Sequence, residues 1–221
     1  MRLKARRTFD LKSKKGEDKL KVSTKLVKEL REKTGVGIMD CKNAIQEAGG
    51  DIDKAVEILR KKGIAKAQKR EGRITSEGQI QSYVHMGGKI GVLVELNCET
   101  DFSAKTEDFT SFAKNLAMHI AATNPLAICP ENLPPEIVER EKEIYRAQAI
   151  HSGKGEKVVE RIVEGRLRRF FSDVCLLNQA YVRDPNMSIQ ELLNELKAKT
   201  GENIIVKRFV RFQLGETDDN R

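Results

Sequence analysis

The residues with the clearest capacity for covalent chemistry are four cysteines and three histidines, and their spacing assigns them little. Cys41, Cys98, Cys129 and Cys175 are dispersed. They form no CxxC pair and have no histidine at ligand spacing, so zinc binding and dithiol chemistry are poorly supported. His85, His119 and His151 fall in separate segments without a neighbouring nucleophile. His119 flanks the apolar stripe of a helix, where a packed edge residue and a general base are both open readings. No GxxxxGK[ST] loop occurs, and GGKIG at Gly87–Gly91 has the wrong spacing and falls in a turn. GxSxG and HExxH are absent as well. Catalytic sites assemble in space from distant residues, so this is missing support rather than exclusion. The expectation is a protein that is not an enzyme and needs no cofactor or metal.

One stretch carries chemistry of another kind. In ELNCETDF an apolar run ends in a polar cluster of Asn97, Glu99, Thr100 and Asp101, and Phe102 follows where the chain should be entering solvent. Either this ring folds back into its own core or it is meant for another protein. The second reading is physically coherent, because an aromatic anchor on a hairpin-backed tip loses little entropy on binding and buries a large area in a partner.

The elements that must position this tip follow from periodicity. Ser23 caps a helix with the stripe Leu26, Val27 and Leu30, which stops at Thr34-Gly35. A second helix buries Cys41, Ala44, Ile45 and Ala48 and ends at Gly49-Gly50. Asp51 caps a third, built on Ile52, Ala55, Val56 and Leu59 and closing at Gly63. Residues 23–63 therefore form a small three-helix bundle, and the basic stretch within 64–77 reads as a linker. From 78 the period changes to two: Ile80, Ser82, Val84 and Met86 alternate with Gln81, Tyr83 and His85. Gly87-Gly88 turns the chain into a partner strand over Ile90–Leu96.

A helix over about Glu107–Ala122 follows, then a proline-rich break. Two helices near Glu136–His151 and Glu156–Phe171 make an antiparallel hairpin, with Ile137, Ile144 and Tyr145 set against Val159, Ile162, Val163 and Phe170. Further expectations are a strand over Val174–Val182 and a helix capped by Ser188 and Glu191. A last strand alternates Ile204, Val206, Val210, Phe212 and Leu214. Helices and strands are segregated, which argues for an α+β core with an antiparallel sheet over 78–216 and a disordered tail at 217–221.

Charge narrows the partners. The net charge is +8, but residues 1–22 hold nine Lys/Arg against three Asp/Glu, leaving only +2 for the rest. That body has no tryptophan and no basic stripe interleaved with aromatics. Nucleic acid is therefore an unlikely partner, and the basic leader reads as a disordered, solvated tail. The alternative is a translation-associated RNA-binding protein whose leader joins Arg166, Arg168 and Arg169 in one patch. No run approaches a membrane span, the start lacks a secretory apolar region, and unclustered cysteines suit a reducing cytoplasm.

VKELREKTGVGIMDCKNAI (Val27–Ile45) and AGGDIDKAVEILRKKGIAKA (Ala48–Ala67) resemble the amino-terminal domain of bacterial elongation factor Ts. IGVLVELNCETDF (Ile90–Phe102) resembles that family's core motif, and AMHIAA (Ala117–Ala122) the helix after it. VEGRLRRFF and VKRFVRFQLGE also match in character, so the similarity runs from about Ser23 to Glu216. The resemblance implies a UBA-like bundle before the core, and a guanine nucleotide exchange factor for the GTPase elongation factor Tu. It implies that Thr100, Asp101 and Phe102 enter the partner's nucleotide-binding domain. Ile90 and Gly91 would approach its phosphate-binding region, and His119 would be a contact. Arg31, Ile38, Met39 and Lys42 would dock on a helix of the GTPase, half-buried core being the alternative for Ile38 and Met39. Longer relatives carry two core subdomains where this chain has room for one, which implies a homodimer in a 2:2 complex.

Overall fold

The computed structural model describes residues 23–153 and 155–216; the basic leader over 1–22 and the tail over 217–221 lie outside the described residues. The chain forms two compact units that divide between Leu59 and Arg60.

The first unit holds α1 (Thr24–Thr34), α2 (Ile38–Glu47) and the beginning of α3 (Ile52–Gln68). The Ser23 side chain accepts from the Lys25 amide at the start of α1, and Gly35 closes it in the left-handed conformation. Asp51 Oδ1 accepts from the amides of Asp53 and Lys54, satisfying two of the free donors at the start of α3. Val27, Leu30, Cys41, Ala44, Ile45, Ala55 and Leu59 form the core. α3 does not close at Gly63 but continues to Gln68. A Cβ at Gly63 would lie 3.1 Å from that of Ala198, so glycine serves a close approach there rather than a helix end.

The second unit is an α+β core. β1 (Glu77–Val84), β2 (Ile90–Cys98) and β5 (Ile204–Gln213) make an antiparallel sheet in the order β1-β2-β5. Around this sheet come α4 (Asp101–Ala104), α5 (Glu107–Thr123), the helical hairpin α6 (Pro135–His151) and α7 (Glu156–Val174), a small ribbon of β3 (Ala180–Tyr181) with β4 (Asp184–Ser188), and α8 (Ile189–Thr200). Val92, Val94, Leu96 and Cys98 alternate onto the inner face of β2 and pack with Phe109, Leu116, Ile120, Ile189 and Leu193 of α5 and α8. Each such side chain, fully buried, contributes about 1.5–3 kcal/mol. Ser188 and Glu191 make the capping box in full.

Three further details depart from the sequence reading. The segment expected as a strand over Val174–Val182 finishes α7, passes through a 3-10 turn at Leu176–Asn178 and is extended only at Ala180–Tyr181. Val174 and Cys175 face a small core with Ala127 and Leu133, while Leu176, Leu177 and Tyr181 join the main core beneath the sheet. In the hairpin, α6 turns Val138, Tyr145 and Ala149 toward Val159, Val163 and Leu167, while Ile137 and Ile144 lie exposed. The seam is one residue round from the stripe that aliphatic character suggests. The third departure is a bulge in β5. Leu96 pairs with Val206 but Glu95 pairs with Arg208, so Lys207 is an extra residue. Ile204 and Val206 are buried, whereas beyond the bulge Val210 and Phe212 share the opposite, outer face.

Candidate protein-docking site

β2 ends at the buried Cys98, and Thr100 then takes an extended conformation and caps α4, its Oγ1 accepting from the Ser103 amide at 3.3 Å. Ser103 and Ala104 are buried, but Phe102 is 77% exposed. The ring is not part of this protein's own core. Beside it, Lys105 Nζ donates to Asp101 Oδ2 at 2.7 Å, holding that carboxyl below its ordinary range.

The base of the tip is clamped by two carboxylates. Glu202 Oε2 accepts from the backbone amides of Glu99 and Thr100, both at 3.1 Å, while its Oε1 accepts from Thr100 Oγ1 at 2.6 Å. In the opposite direction, Glu99 Oε1 accepts from the Asn203 amide at 2.6 Å, and Arg73 Nη1 donates to Glu99 Oε2 at 3.3 Å. The Asn203 amide and then Arg73 keep the Glu99 carboxyl below its usual range. Asn203, buried itself, donates through its side chain to the Arg73 carbonyl. Underneath, the Cys98 thiol donates to the Thr100 carbonyl at 3.1 Å; burial first and the Glu202 charge second push its pKa up, which makes it a poor nucleophile. Cys175 is pushed up further, to about 11.

Ile90 and Gly91 stand at the other end of β2, next to the hairpin turn. Ile90 is half-buried, and a Cβ on Gly91 would meet nothing within 4 Å. In the first unit, Ile38 and Met39 open α2 at 52% and 64% exposure, and Lys42 follows one turn later; Arg31 is exposed in the last turn of α1. The half-buried reading of Ile38 and Met39 therefore does not describe them. His119 is fully buried. Its Nε2 lies 2.9 Å from Gln179 Oε1, and its Nδ1 accepts from the Val182 amide. It fastens α5 to the chain around β3 and presents no surface. Of the three arginines in the RNA-binding alternative, Arg166 bonds Gln148 and lies over the Tyr145 ring, and Arg168 lies 4.0 Å from Glu164.

The structure thus makes Thr100, Asp101 and Phe102 one exposed tip and leaves Ile90-Gly91 at the far end of the same strand, roughly 26 Å away at the usual rise per residue. The sequence reading missed Glu202, Asn203 and Arg73. Their partners lie 26 to 130 residues away, and the only local hint is a Glu-Asn pair following the Gly201 helix end. Among the described residues, no cluster of three or more His, Cys, Asp or Glu could hold a metal ion, and no helix is long and apolar enough to cross a membrane.

Residues 14–216 match the family model described as Elongation factor TS. A protein named Elongation factor Ts from Syntrophobacter fumaroxidans is 58% identical over 196 residues, covering 89% of this chain and 98% of that protein. One of the same name from Desulfosudis oleivorans is 58% identical over 88% of this chain and 98% of its own length. One from Caldanaerobacter subterraneus is 57% identical over the same shares. With the match covering the bundle, the Thr-Asp-Phe tip and the closing strand, the chain belongs to the elongation factor Ts family.

Proposed function

We propose that this protein is a guanine nucleotide exchange factor, acting in the cytoplasm on elongation factor Tu. The observation that carries this reading is the exposed Phe102 on a one-turn helix with a hydrogen-bonded base. A large aromatic left in water keeps its apolar area available for a partner to bury, and a rigid mount lowers the entropy lost when that happens. The ring enters an apolar crevice of the GTPase's nucleotide-binding domain, with Thr100 and Asp101 at its entrance. Displaced elements beside the phosphate loop loosen the Mg²⁺, whose octahedral geometry is strict, and GDP leaves. No bond is made or broken: factor and nucleotide each weaken the other's binding.

Gly91 supports a second point of approach, since its missing side chain answers no steric need inside this protein. Arg31, Ile38, Met39 and Lys42 offer an apolar and basic patch for a helix of the GTPase. His119 acts from beneath, by holding the chain at Val182. The two-domain division, with a docking bundle before the core, belongs to this reading, as does a homodimer that forms a 2:2 complex. The test is release of fluorescent GDP from purified elongation factor Tu. Acceleration by catalytic amounts of this protein is expected. RNA affinity that disappears on deleting residues 1–22, with no exchange activity in either form, would favour the RNA-binding alternative instead.

A further inference from the structure

We infer that Glu202 is a positioning residue for exchange, a carboxylate that sets Phe102 in its docking geometry before the partner arrives. The inference rests on the docking reading of the tip.

A four-residue helix has no stability of its own, because nucleating one turn fixes several dihedrals for a single hydrogen bond. Something outside α4 must therefore hold it. The Thr100 hydroxyl has one proton, which it donates in a hydrogen bond to Glu202 Oε1 at 2.6 Å; the oxygen is left to accept from the Ser103 amide. This chain of hydrogen bonds from Ser103 through Thr100 to Glu202 orients the cap and strengthens it by mutual polarisation. Glu202 Oε2 meanwhile takes the amides of Glu99 and Thr100, which lie past the end of the β1–β2 and β2–β5 pairing. One carboxylate thus accepts three bonds, all of them charge-assisted. Glu99 returns the favour at the Asn203 amide, so the exit of β2 and the entry to β5 hold each other. Phe102 sits two residues from this clamp, and nothing else on α4 buries its ring.

The consequence is a population effect. If loss of the clamp leaves the tip formed in about a tenth of the molecules, the apparent affinity falls roughly tenfold and the bound complex is unchanged. Glu202→Gln keeps the shape, removes the charge and replaces one acceptor oxygen with an NH₂ that cannot accept. In titrations of GDP release from elongation factor Tu, this variant should raise the half-saturating concentration about tenfold at an unaltered maximal rate. Amide hydrogen exchange should quicken at residues 100–105 and not along β2. On a Phe102→Ala background the same change should not weaken GTPase binding further.

Unaltered half-saturation with unaltered amide exchange would overturn the clamp while Phe102→Ala still abolished activity. Faster exchange across the whole sheet would overturn it too, in favour of a general structural role. Full activity in Phe102→Ala would instead remove the docking reading itself.

Discussion

Two phenylalanines seven residues apart carry opposite assignments, and the difference can be measured. Phe109 is fully buried in α5, whereas Phe102 stands in solvent on α4. Truncating a buried phenylalanine removes its transfer energy and leaves a cavity, so Phe109→Ala should cost about 3–5 kcal/mol. Phe102→Ala should shift unfolding by no more than about 0.5 kcal/mol, as exposed substitutions do, yet lose most of the acceleration of GDP release. Equal losses of stability in the two variants would return Phe102 to the core. The sequence supplied the oddity at Phe102 but not its resolution, because exposure depends on where Ser103 and Ala104 are buried and on a carboxylate about a hundred residues away. His119 could be read even less well: its helical position is that of an edge residue, and only the chain around β3 covers it. Burial lowers its pKa, against a smaller opposing effect from Gln179. A depressed histidine adds stability above its unfolded pKa of 6.5, and that contribution is lost as pH falls through the folded value. Stability should therefore decline below pH 6.5, by at most about 1.4 kcal/mol per pH unit. The depressed carboxylates of Glu95, Glu99 and Asp101 act in a lower window, beginning near their ordinary values of 4.5, 4.5 and 3.8. Melting His119→Asn between pH 7 and 5 should show a flatter profile than the parent.

Among the elements, those with long stripes or explicit caps are legible in the sequence alone. α5 keeps its helical spacing through Phe109, Ala113, Leu116 and Ile120, and Ser188 with Glu191 marks the start of α8. The failures have a common cause, which is that an apolar run does not state its own geometry. Val174–Val182 is short and apolar and reads as a strand, but helix α7 reaches into it and a 3-10 turn follows. In β5 the alternation is real on each side of Lys207 and changes face across it. Face assignment has a period of two, so one extra residue reverses everything beyond it. Because Arg208 already pairs with Glu95, deleting Lys207 removes only the unpaired residue and leaves Val206 and Arg208 as consecutive regular pairs, with Val210 and Phe212 still on the outer face. Deleting Val210 instead would turn Arg211 outward and carry Phe212 into the inner layer. Urea denaturation should therefore show a much lower midpoint for the Val210 deletion than for the Lys207 deletion. Equal midpoints would mean that face assignment beyond the bulge does not matter to the fold.

At the scale of the whole molecule, that outer face is the feature a single chain leaves unexplained. Ile80, Val84 and Met86 from β1 and its turn, Leu93 from β2, and Phe212 and Leu214 from β5 and its end are all exposed, and the strand register puts Ile80, Val84, Leu93 and Phe212 on one side of the sheet. Contiguous apolar side chains on this scale mark an interface or an aggregation hazard. A second copy is the occupant that fits. Glu95 and Arg208 lie paired at 2.6 Å on the same face, so a two-fold axis through it would bring each acid of one copy near the base of the other, as a self-complementary interface requires. One chain also has only one Thr-Asp-Phe tip and one Ile-Gly turn, at opposite ends of β2, whereas two chains can offer one GTPase the tip of one copy and the turn of the other. We therefore expect a dimer at micromolar concentration that binds two GTPase molecules. Val84→Asp with Phe212→Asp should give a monomer by light scattering with its helix content intact, because both side chains point away from the inner core. That monomer should accelerate GDP release poorly even though Phe102 is untouched. A parent protein that is monomeric and fully active in exchange would sink the dimer, and the apolar face would then have to belong to the GTPase contact itself.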